Sequence, residues 1–115
     1  MYDSSCVFCR IAAREIPSEI LHDTDRVVGF RDSNPKAPTH ILLMPVRHIT
    51  SIAEAEAGDG DLIGALHMAA AQLAQTEKLT RGYRLVINTG PDGGQTVDHL
   101  HLHLLGGRPM RWPPG

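Results

Sequence analysis

The chain has 115 residues, of which 42% are apolar and 21% are charged, and its formal net charge is −2. This length suits one domain around a single hydrophobic core, and the charge gives no general attraction to nucleic acid or anionic membranes. No apolar run is long enough to span a bilayer, and the start, MYDSSCVFCR, does not have the pattern of a secretory signal. We therefore expect one cytoplasmic domain over residues 1–115, without a nucleic-acid or membrane partner.

The first half of the chain predicts one short helix followed by three strands. Phe8 and Ile11 share one face of a helix within residues 7–15, and Pro17 lies just beyond its end. Two short apolar segments, 18–24 and 26–32, predict strands that a tight turn joins into a hairpin. After a loop with two prolines, residues 39–46 form an apolar run that is typical of a strand buried on both faces.

The second half predicts one long helix and two more strands. Residues 59–79 carry leucine and alanine at helical spacing, with Gly82 as the expected stop. A fourth strand is predicted over 82–90, and a glycine-rich turn leads into the fifth, which starts with the run HLHLHLL. The tail, 106–115, is expected to be irregular. This order predicts an α+β fold with a five-stranded antiparallel sheet, one short N-terminal helix and one long helix.

Three histidines alternate with leucines in the predicted fifth strand. Because successive side chains of a strand point to opposite faces, His99, His101 and His103 would share one face, and the leucines would face the core. The histidine face is either a solvated surface or a site. Three imidazoles can hold a catalytic zinc, or one can attack phosphorus while another stabilises phosphoryl charge. The preceding GPDGGQT favours phosphate, because glycines let backbone N–H groups approach an anion closely.

The only cysteines, Cys6 and Cys9, form a C-x-x-C pair. A single pair at this spacing argues against a disulfide framework and leaves a metal site, a redox pair or packed thiols. Their position on or near the first helix, rather than after a strand, disfavours a thioredoxin-like role. A zinc site would need two more ligands.

The segment GGQTVDHLHLHLLGGRPMRWPPG closely resembles the C-terminal signature of the histidine triad (HIT) family, in particular its Hint branch. The segments IPSEI, FRDSNPKAPTHILLMP and HI at 48–49 are similar to the matching upstream parts, so the resemblance covers nearly the whole chain. It implies a homodimer that binds purine nucleotides and hydrolyses adenosine 5′-phosphoramidates to AMP and an amine through a nucleotidyl-histidine intermediate.

The resemblance also implies roles for individual residues. His101 would be the nucleophile, His103 would hydrogen-bond the phosphoryl oxygens, His99 would belong to the same catalytic set, and His40 would support these three from a neighbouring strand. Thr96 or an active-site histidine would protonate the leaving amine. Without the family, Asp32 could be a turn residue, and Asn88 could end its strand by bonding its own backbone. The residues implied to bind the nucleotide are Phe8, Ile11, Phe30 and Leu42 at the base, Asp32 at the ribose, Asn88, Gly94, Gln95 and Thr96 at the phosphate side, and Trp112 at the leaving group.

Some microbial members of the family bind zinc through such a cysteine pair and two histidines. By this resemblance Cys6, Cys9, His48 and His99 would hold a structural zinc, and the alternative is a pair of packed thiols. Three other functions stay open. They are a dinucleoside polyphosphate hydrolase, against which the C-terminal tail argues, a nucleotide-binding interaction protein with incidental hydrolysis, and a protein with a catalytic three-histidine zinc site.

Overall fold

The computed structural model describes residues 1–115 and contains two helices and five strands. It confirms the predicted α+β class and the order of the elements. Two single-turn 3-10 helices between β3 and α2 were not predicted. The elements are α1 (Val7–Ala12), β1 (Ile20–Asp23), β2 (Val27–Arg31), β3 (Thr39–Pro45), α2 (Gly60–Thr76), β4 (Tyr83–Val86) and β5 (Leu102–Gly106).

The strands form one antiparallel sheet in the order β1-β2-β3-β5-β4. Strand β3 lies at its centre, and all seven of its residues are buried, as the continuous apolar run predicts. In the register of β3 with β5, Leu42 is opposite His103 and Ile41 is opposite Leu104. Because side chains alternate between faces, His103 shares a face with Leu42. Leu102 and Leu104 of β5 face the other side of the sheet.

Each face of the sheet has its own core. On one face, α2 packs its apolar side against β2, β3 and β5, and this core contains Leu102 and Leu104. The predicted leucine face is therefore confirmed. On the other face, α1 covers a smaller core that includes Phe8, Ile11 and Leu42. The residues that α2 buries are Leu62, Leu66, Ala69, Ala70, Leu73 and Ala74.

Both helices end earlier than predicted. The first stops at Ala12 rather than near residue 15, and Arg14 takes a left-handed backbone conformation with φ 63°. The second stops at Thr76, and Lys78 turns the chain with φ 59°, so the predicted stop at Gly82 is wrong. The early turn lets Leu79 pack over Gly106, where an added Cβ would lie 2.6 Å from Leu79 Cδ1. No helix in the structure has the length and apolarity needed to cross a membrane.

The fifth strand begins at Leu102, so the prediction that the whole histidine run lies in it is wrong. His99 and His101 precede the strand, because the backbone groups that would continue the pairing have other partners. The N–H of Leu100 donates to the carbonyl of Ile49 at 2.6 Å, and the His99 ring donates to the carbonyl of Pro45 at 2.8 Å. Pairing with β4 also stops at His103, so β4 ends at Val86, short of the predicted boundary at residue 90. At its other end, β5 includes Gly106, which was assigned to the tail.

Candidate functional site

A groove of about 380 Å³ lies on the face of the sheet that α1 covers. One wall is apolar and comes from α1, β2 and β3. The other carries polar groups from the end of β2, from residues 96–97 and from the histidine run. The groove thus brings together most of the residues that the resemblance assigns to nucleotide binding or chemistry, namely Phe8, Ile11, Phe30, Asp32, Leu42, Thr96, His101 and His103.

The ring of Phe8 organises the apolar wall. Its centroid lies 5.5 Å from that of Phe30, with the rings nearly perpendicular. It also lies 5.0 Å from the centroid of His101, again edge to face. Such perpendicular pairs are favourable, because the positive edge of one ring meets the negative face of the other. The base wall and the predicted nucleophile are therefore in direct contact.

The geometry fixes which nitrogen of His101 carries the proton. Its Nδ1 lies 2.6 Å from the backbone carbonyl oxygen of His99, and a carbonyl can only accept. Nδ1 therefore carries the hydrogen, and Nε2 has a free lone pair. The residue is buried, and this burial lowers the pKa of its imidazole, so the ring is neutral at pH 7. A neutral imidazole with Nε2 unprotonated is a nucleophile.

A chain of hydrogen bonds sets the tautomers of His40 and His103. The backbone N–H of Lys36 donates to Nδ1 of His40 at 3.0 Å, so the proton of a neutral His40 is on Nε2. That Nε2 lies 2.9 Å from Nδ1 of His103, which must accept. His103 therefore carries its own proton on Nε2 and can donate it to a ligand. Burial is the main cause that lowers the pKa of His103 to about 4, and it also lowers the pKa of His40, so both are neutral at pH 7.

Four of the residues that the resemblance assigns to ligand binding do not line the groove. The side chain of Asn88 donates to the carbonyl of Gly93 at 2.7 Å, and that of Gln95 donates to the carbonyl of Thr50 at 2.7 Å. Both contacts hold the glycine-rich loop in place. Gly94 lies in the same loop with φ 78°, and Trp112 is 83% exposed on the tail. Their roles toward a ligand stay predictions.

The main-chain partners of the histidines are what the sequence reasoning missed. The carbonyls of Pro45 and His99 and the N–H of Lys36 orient three rings, and backbone groups leave no signature in residue type. Only the glycine-rich loop carries a weak sequence signal of such a main-chain contact. A Cβ on Gly93 would overlap the carbonyl oxygen of Thr89, so this position requires glycine for close approach.

A second group of side chains, which we call the cysteine–histidine cluster, consists of Cys6, Cys9, His48 and His99. Its four sulfur and nitrogen atoms lie within 4.8 Å of one another. Nδ1 of His99 is 3.3 Å from Sγ of Cys6 and 3.2 Å from Nδ1 of His48, and Sγ of Cys9 is 3.4 Å from Nδ1 of His48. Tetrahedral zinc with ordinary bond lengths separates its ligand atoms by about 3.4 Å (N to N) and about 3.6 Å (N to S). The donor set and its spacing fit zinc.

The surroundings of the cluster also suit a metal. Nε2 of His99 donates to the carbonyl of Pro45 at 2.8 Å, which leaves the lone pair of Nδ1 directed at the other three donors. This pattern, a ligand histidine oriented by a carbonyl, is usual in zinc sites. The N–H of Cys9 donates to Sγ of Cys6 at 3.3 Å, as suits a thiolate. His99 is fully buried, so the site is closed on this side.

The histidines of the run do not converge on one metal. His99 points into the cysteine–histidine cluster, whereas His101 and His103 line the groove. The alternative of a catalytic three-histidine zinc site is therefore wrong. Asp32, His40 and His103 also lie close together, but Nε2 of His40 carries a proton where a metal would need a lone pair. That group is a hydrogen-bonded chain.

Comparisons with known proteins place the chain close to one family. The sequence model of the HIT domain matches residues 13–110. A 14 kDa zinc-binding protein from Zea mays is 49% identical, over 98% of this chain and 90% of its own length. An adenylylsulfatase HINT1 from Arabidopsis thaliana is 47% identical, over 98% of this chain and 78% of its own. The crystal structure of a HIT family hydrolase from Legionella pneumophila Philadelphia 1 has a TM-score of 0.93 and 48% identity, covering 96% of this chain and 99% of that one.

Proposed function

This chain belongs to the HIT family, and from that premise we propose that it hydrolyses adenosine 5′-phosphoramidates, releasing AMP and an amine. The observation that carries the proposal is the pair of fixed tautomers at one end of the groove. His101 offers a lone pair on Nε2, and His103 offers a proton on Nε2. One group can attack phosphorus while the other stabilises the oxygen that gains charge.

The groove supports a nucleotide as the ligand. Its volume of about 380 Å³ is within the usual range for small-molecule sites, and its apolar wall would contact the flat faces of a purine. Asp32 lies at the polar end, where its carboxylate can only accept hydrogen bonds. A ribose presents two hydroxyl donors, so this carboxylate would fix the sugar between the base and the histidines.

In the first half of the reaction, Nε2 of His101 would attack the α-phosphorus and the P–N bond would break. The new N–P bond leaves His101 with positive charge, which its Nδ1–H shares with the carbonyl of His99. The leaving amine must gain a proton, because an amide anion is a poor leaving group. Thr96 and an active-site histidine are both at the groove, and either is a candidate for that transfer.

In the second half, water would attack the phosphorus of the nucleotidyl-histidine. The N–P bond to His101 then breaks, the water loses a proton, and AMP leaves with the neutral ring restored. His103 would donate to the same phosphoryl oxygens in both halves. Two steps with one nucleophile replace a single displacement by water, which is the usual gain of covalent catalysis.

Adenylyl sulfate is a second candidate substrate, because the Arabidopsis relative is named an adenylylsulfatase. The same intermediate on His101 would form, with sulfate leaving in place of the amine. Sulfate needs no proton to leave, so this reaction asks less of the proton donor than the phosphoramidate does. The two substrates therefore share His101 and differ in their demand on the leaving-group side.

We propose that the cysteine–histidine cluster holds one structural zinc. The four side chains supply two sulfurs and two nitrogens, which is a usual ligand set for closed structural sites. The zinc-binding relative from maize supports the same assignment. Zinc bound here would cross-link α1, the segment after β3 and the segment before β5.

We also propose that the chain works as a homodimer. Trp112 is 83% exposed, which is unusual for the largest amphipathic side chain. The tail that carries it is held near β4, because Arg84 donates to the carbonyl of Arg111 at 2.7 Å. Strand β4 is itself an edge of the sheet, with backbone groups open to another chain. A second copy at this edge would cover Trp112.

A turnover panel tests the proposed function. Adenosine and guanosine phosphoramidates with several amines, adenylyl sulfate and a diadenosine polyphosphate would be compared at equal concentration, with AMP release as the readout. The proposal expects the adenosine phosphoramidates to give the highest kcat/KM. Faster turnover of the diadenosine polyphosphate would overturn it in favour of that hydrolase. Tight AMP binding without turnover of any compound would favour an interaction protein.

A further inference from the structure

We propose that the cysteine–histidine cluster positions the nucleophile, so that metal binding controls the reaction rate through the main chain of His99. This inference rests on the proposed role of His101. It concerns how the ring of His101 is held, and His99 is then a positioning residue for the reaction.

The segment that carries the nucleophile has no sheet to hold it. Strand β5 begins at Leu102, so residues 99–101 lack the ladder of hydrogen bonds that fixes a strand. Two other bonds take its place. The N–H of Leu100 donates to the carbonyl of Ile49 at 2.6 Å, and Nδ1 of His101 donates to the carbonyl of His99 at 2.6 Å.

In both of these hydrogen bonds, the accepting carbonyl belongs to a residue of the cluster or to the residue that follows one. Ile49 follows His48 directly, and the carbonyl that holds the nucleophile belongs to His99 itself. Nδ1 of His48 and Nδ1 of His99 are 3.2 Å apart. Two lone pairs at this distance repel each other unless a cation or a proton lies between them. A bound metal would therefore hold the two segments against each other through both rings, whereas without it this contact depends on a hydrogen bond from one ring to the other.

Phe8 provides a second connection from the cluster to the nucleophile. It lies in the sequence between Cys6 and Cys9, and its ring centroid is 5.9 Å from that of His99 and 5.0 Å from that of His101. If the two cysteines lost their metal, α1 and this ring would lose their anchor. Phe8 also lines the groove, so nucleotide affinity should change as well, but less than the rate of the chemical step.

Variants of His48 test the proposal, because His48 is a cluster residue that does not line the groove. His48→Ala removes a ligand, His48→Cys keeps one, and His67→Ala on the exposed face of α2 is the matched control. For His48→Ala we expect loss of zinc and a kcat about 10- to 100-fold lower, with KM changed by no more than about 3-fold. His48→Cys and His67→Ala should keep both the zinc and the rate.

Nitrogen NMR of the histidine rings gives a readout that does not depend on activity. In the zinc-loaded wild type and in His48→Cys, His101 should carry its proton on Nδ1 alone, and in His48→Ala it should show a mixture of tautomers. If His48→Ala does not fold, wild-type protein treated with a chelator replaces it. A zinc-free, folded protein with unchanged kcat and an unchanged His101 tautomer would overturn the proposal. If the tautomer responds to zinc but loaded wild-type protein hydrolyses nothing, the proposed function fails and the positioning stands.

Discussion

Four histidines of this protein have different partners and therefore different chemistry. His99 presents Nδ1 to the cysteines, His101 keeps Nε2 free, and His40 passes a hydrogen bond to His103. A backbone group sets three of these rings, through the carbonyl of Pro45, the carbonyl of His99 and the N–H of Lys36, and the ring of His40 then sets that of His103. Identical side chains thus take distinct roles because their hydrogen-bond partners determine which ring nitrogen carries the proton.

The lowered pKa of His103 predicts how stability depends on pH. Burial lowers this pKa to about 4, whereas a histidine in an unfolded chain titrates near 6.5. Between these pH values the unfolded chain binds a proton that the folded chain does not, so acid favours unfolding. The contribution is complete above about pH 6.5 and is lost as the pH falls toward 4.

Replacing this histidine should therefore flatten the pH profile. In urea unfolding at constant zinc, His103→Asn should show a slope of unfolding free energy against pH that is shallower by up to about 1.4 kcal/mol per pH unit between pH 6.5 and 4. His67→Asn, on the exposed face of α2, should behave as the wild type does. Equal slopes for wild type and His103→Asn would contradict the half-buried, neutral state of His103.

At the scale of elements, the sequence predicts which segments are helices and strands better than where they end. The buried run of β3 and the apolar stripe of α2 are local patterns, and both are confirmed. The start of β5 is not a local property. It depends on Pro45 and Ile49, distant carbonyls that take the donors of His99 and Leu100. Likewise α2 ends where Leu79 can cover Gly106, a contact between residues far apart in sequence.

In the candidate site, too, the features that depend on contacts between distant residues could not be predicted from the sequence. The groove residues could be named from the sequence because the family resemblance assigns them, and the fold brings most of them together. The split of the histidine run between two clusters could not be read from its alternation, which places all three rings on one face. Only the register of β3 with β5 and the turn before Leu102 separate His99 from the other two.

The stability of helix α1 should come from the cysteine–histidine cluster, because the helix is too short to be stable alone. It has only six residues, and Cys6 is its N-cap. We predict about one tightly bound zinc per chain, measured by elemental analysis of protein purified without added metal. Because metal binding contributes folding free energy, Cys6→Ala should lower Tm by at least about 10 °C.

A chelator provides the control for the zinc prediction. It should lower the Tm of the wild type toward that of Cys6→Ala and should leave the variant nearly unchanged. Absence of zinc from the purified protein, with both thiols freely titratable in the folded state, would instead identify the pair as packed cysteines.

In the whole molecule, the two faces of the sheet differ in their contact with the groove. The larger core, between α2 and the sheet, contains none of the groove residues, whereas the smaller core under α1 forms the wall of the groove. Strand β4 is one edge of the sheet and pairs directly with β5, which carries His103. The tail beside β4 leaves Trp112 exposed, and this is the surface that we propose a second copy covers.

Light scattering at micromolar concentration should give twice the 12.5 kDa mass of one chain. Trp112→Ala should alter the preference among amine leaving groups, because the family resemblance implies that this ring would reach the partner's site. A tail variant such as Met110→Ala, two residues away, serves as the comparison. A monomer, or a Trp112→Ala variant with the wild-type order of amine preference, would contradict the proposed assembly.

Nε2 of His101 is proposed to attack phosphorus, and trapping the nucleotidyl-histidine would show whether it does. Wild-type protein would be mixed with an adenosine phosphoramidate, quenched in acid within milliseconds, digested and analysed by mass spectrometry. The account predicts an adenylyl group on His101 alone. It also predicts that His101→Ala binds AMP but hydrolyses the substrate slower by several orders of magnitude. An adduct on His99 or His103, or near-wild-type turnover by His101→Ala, would contradict it.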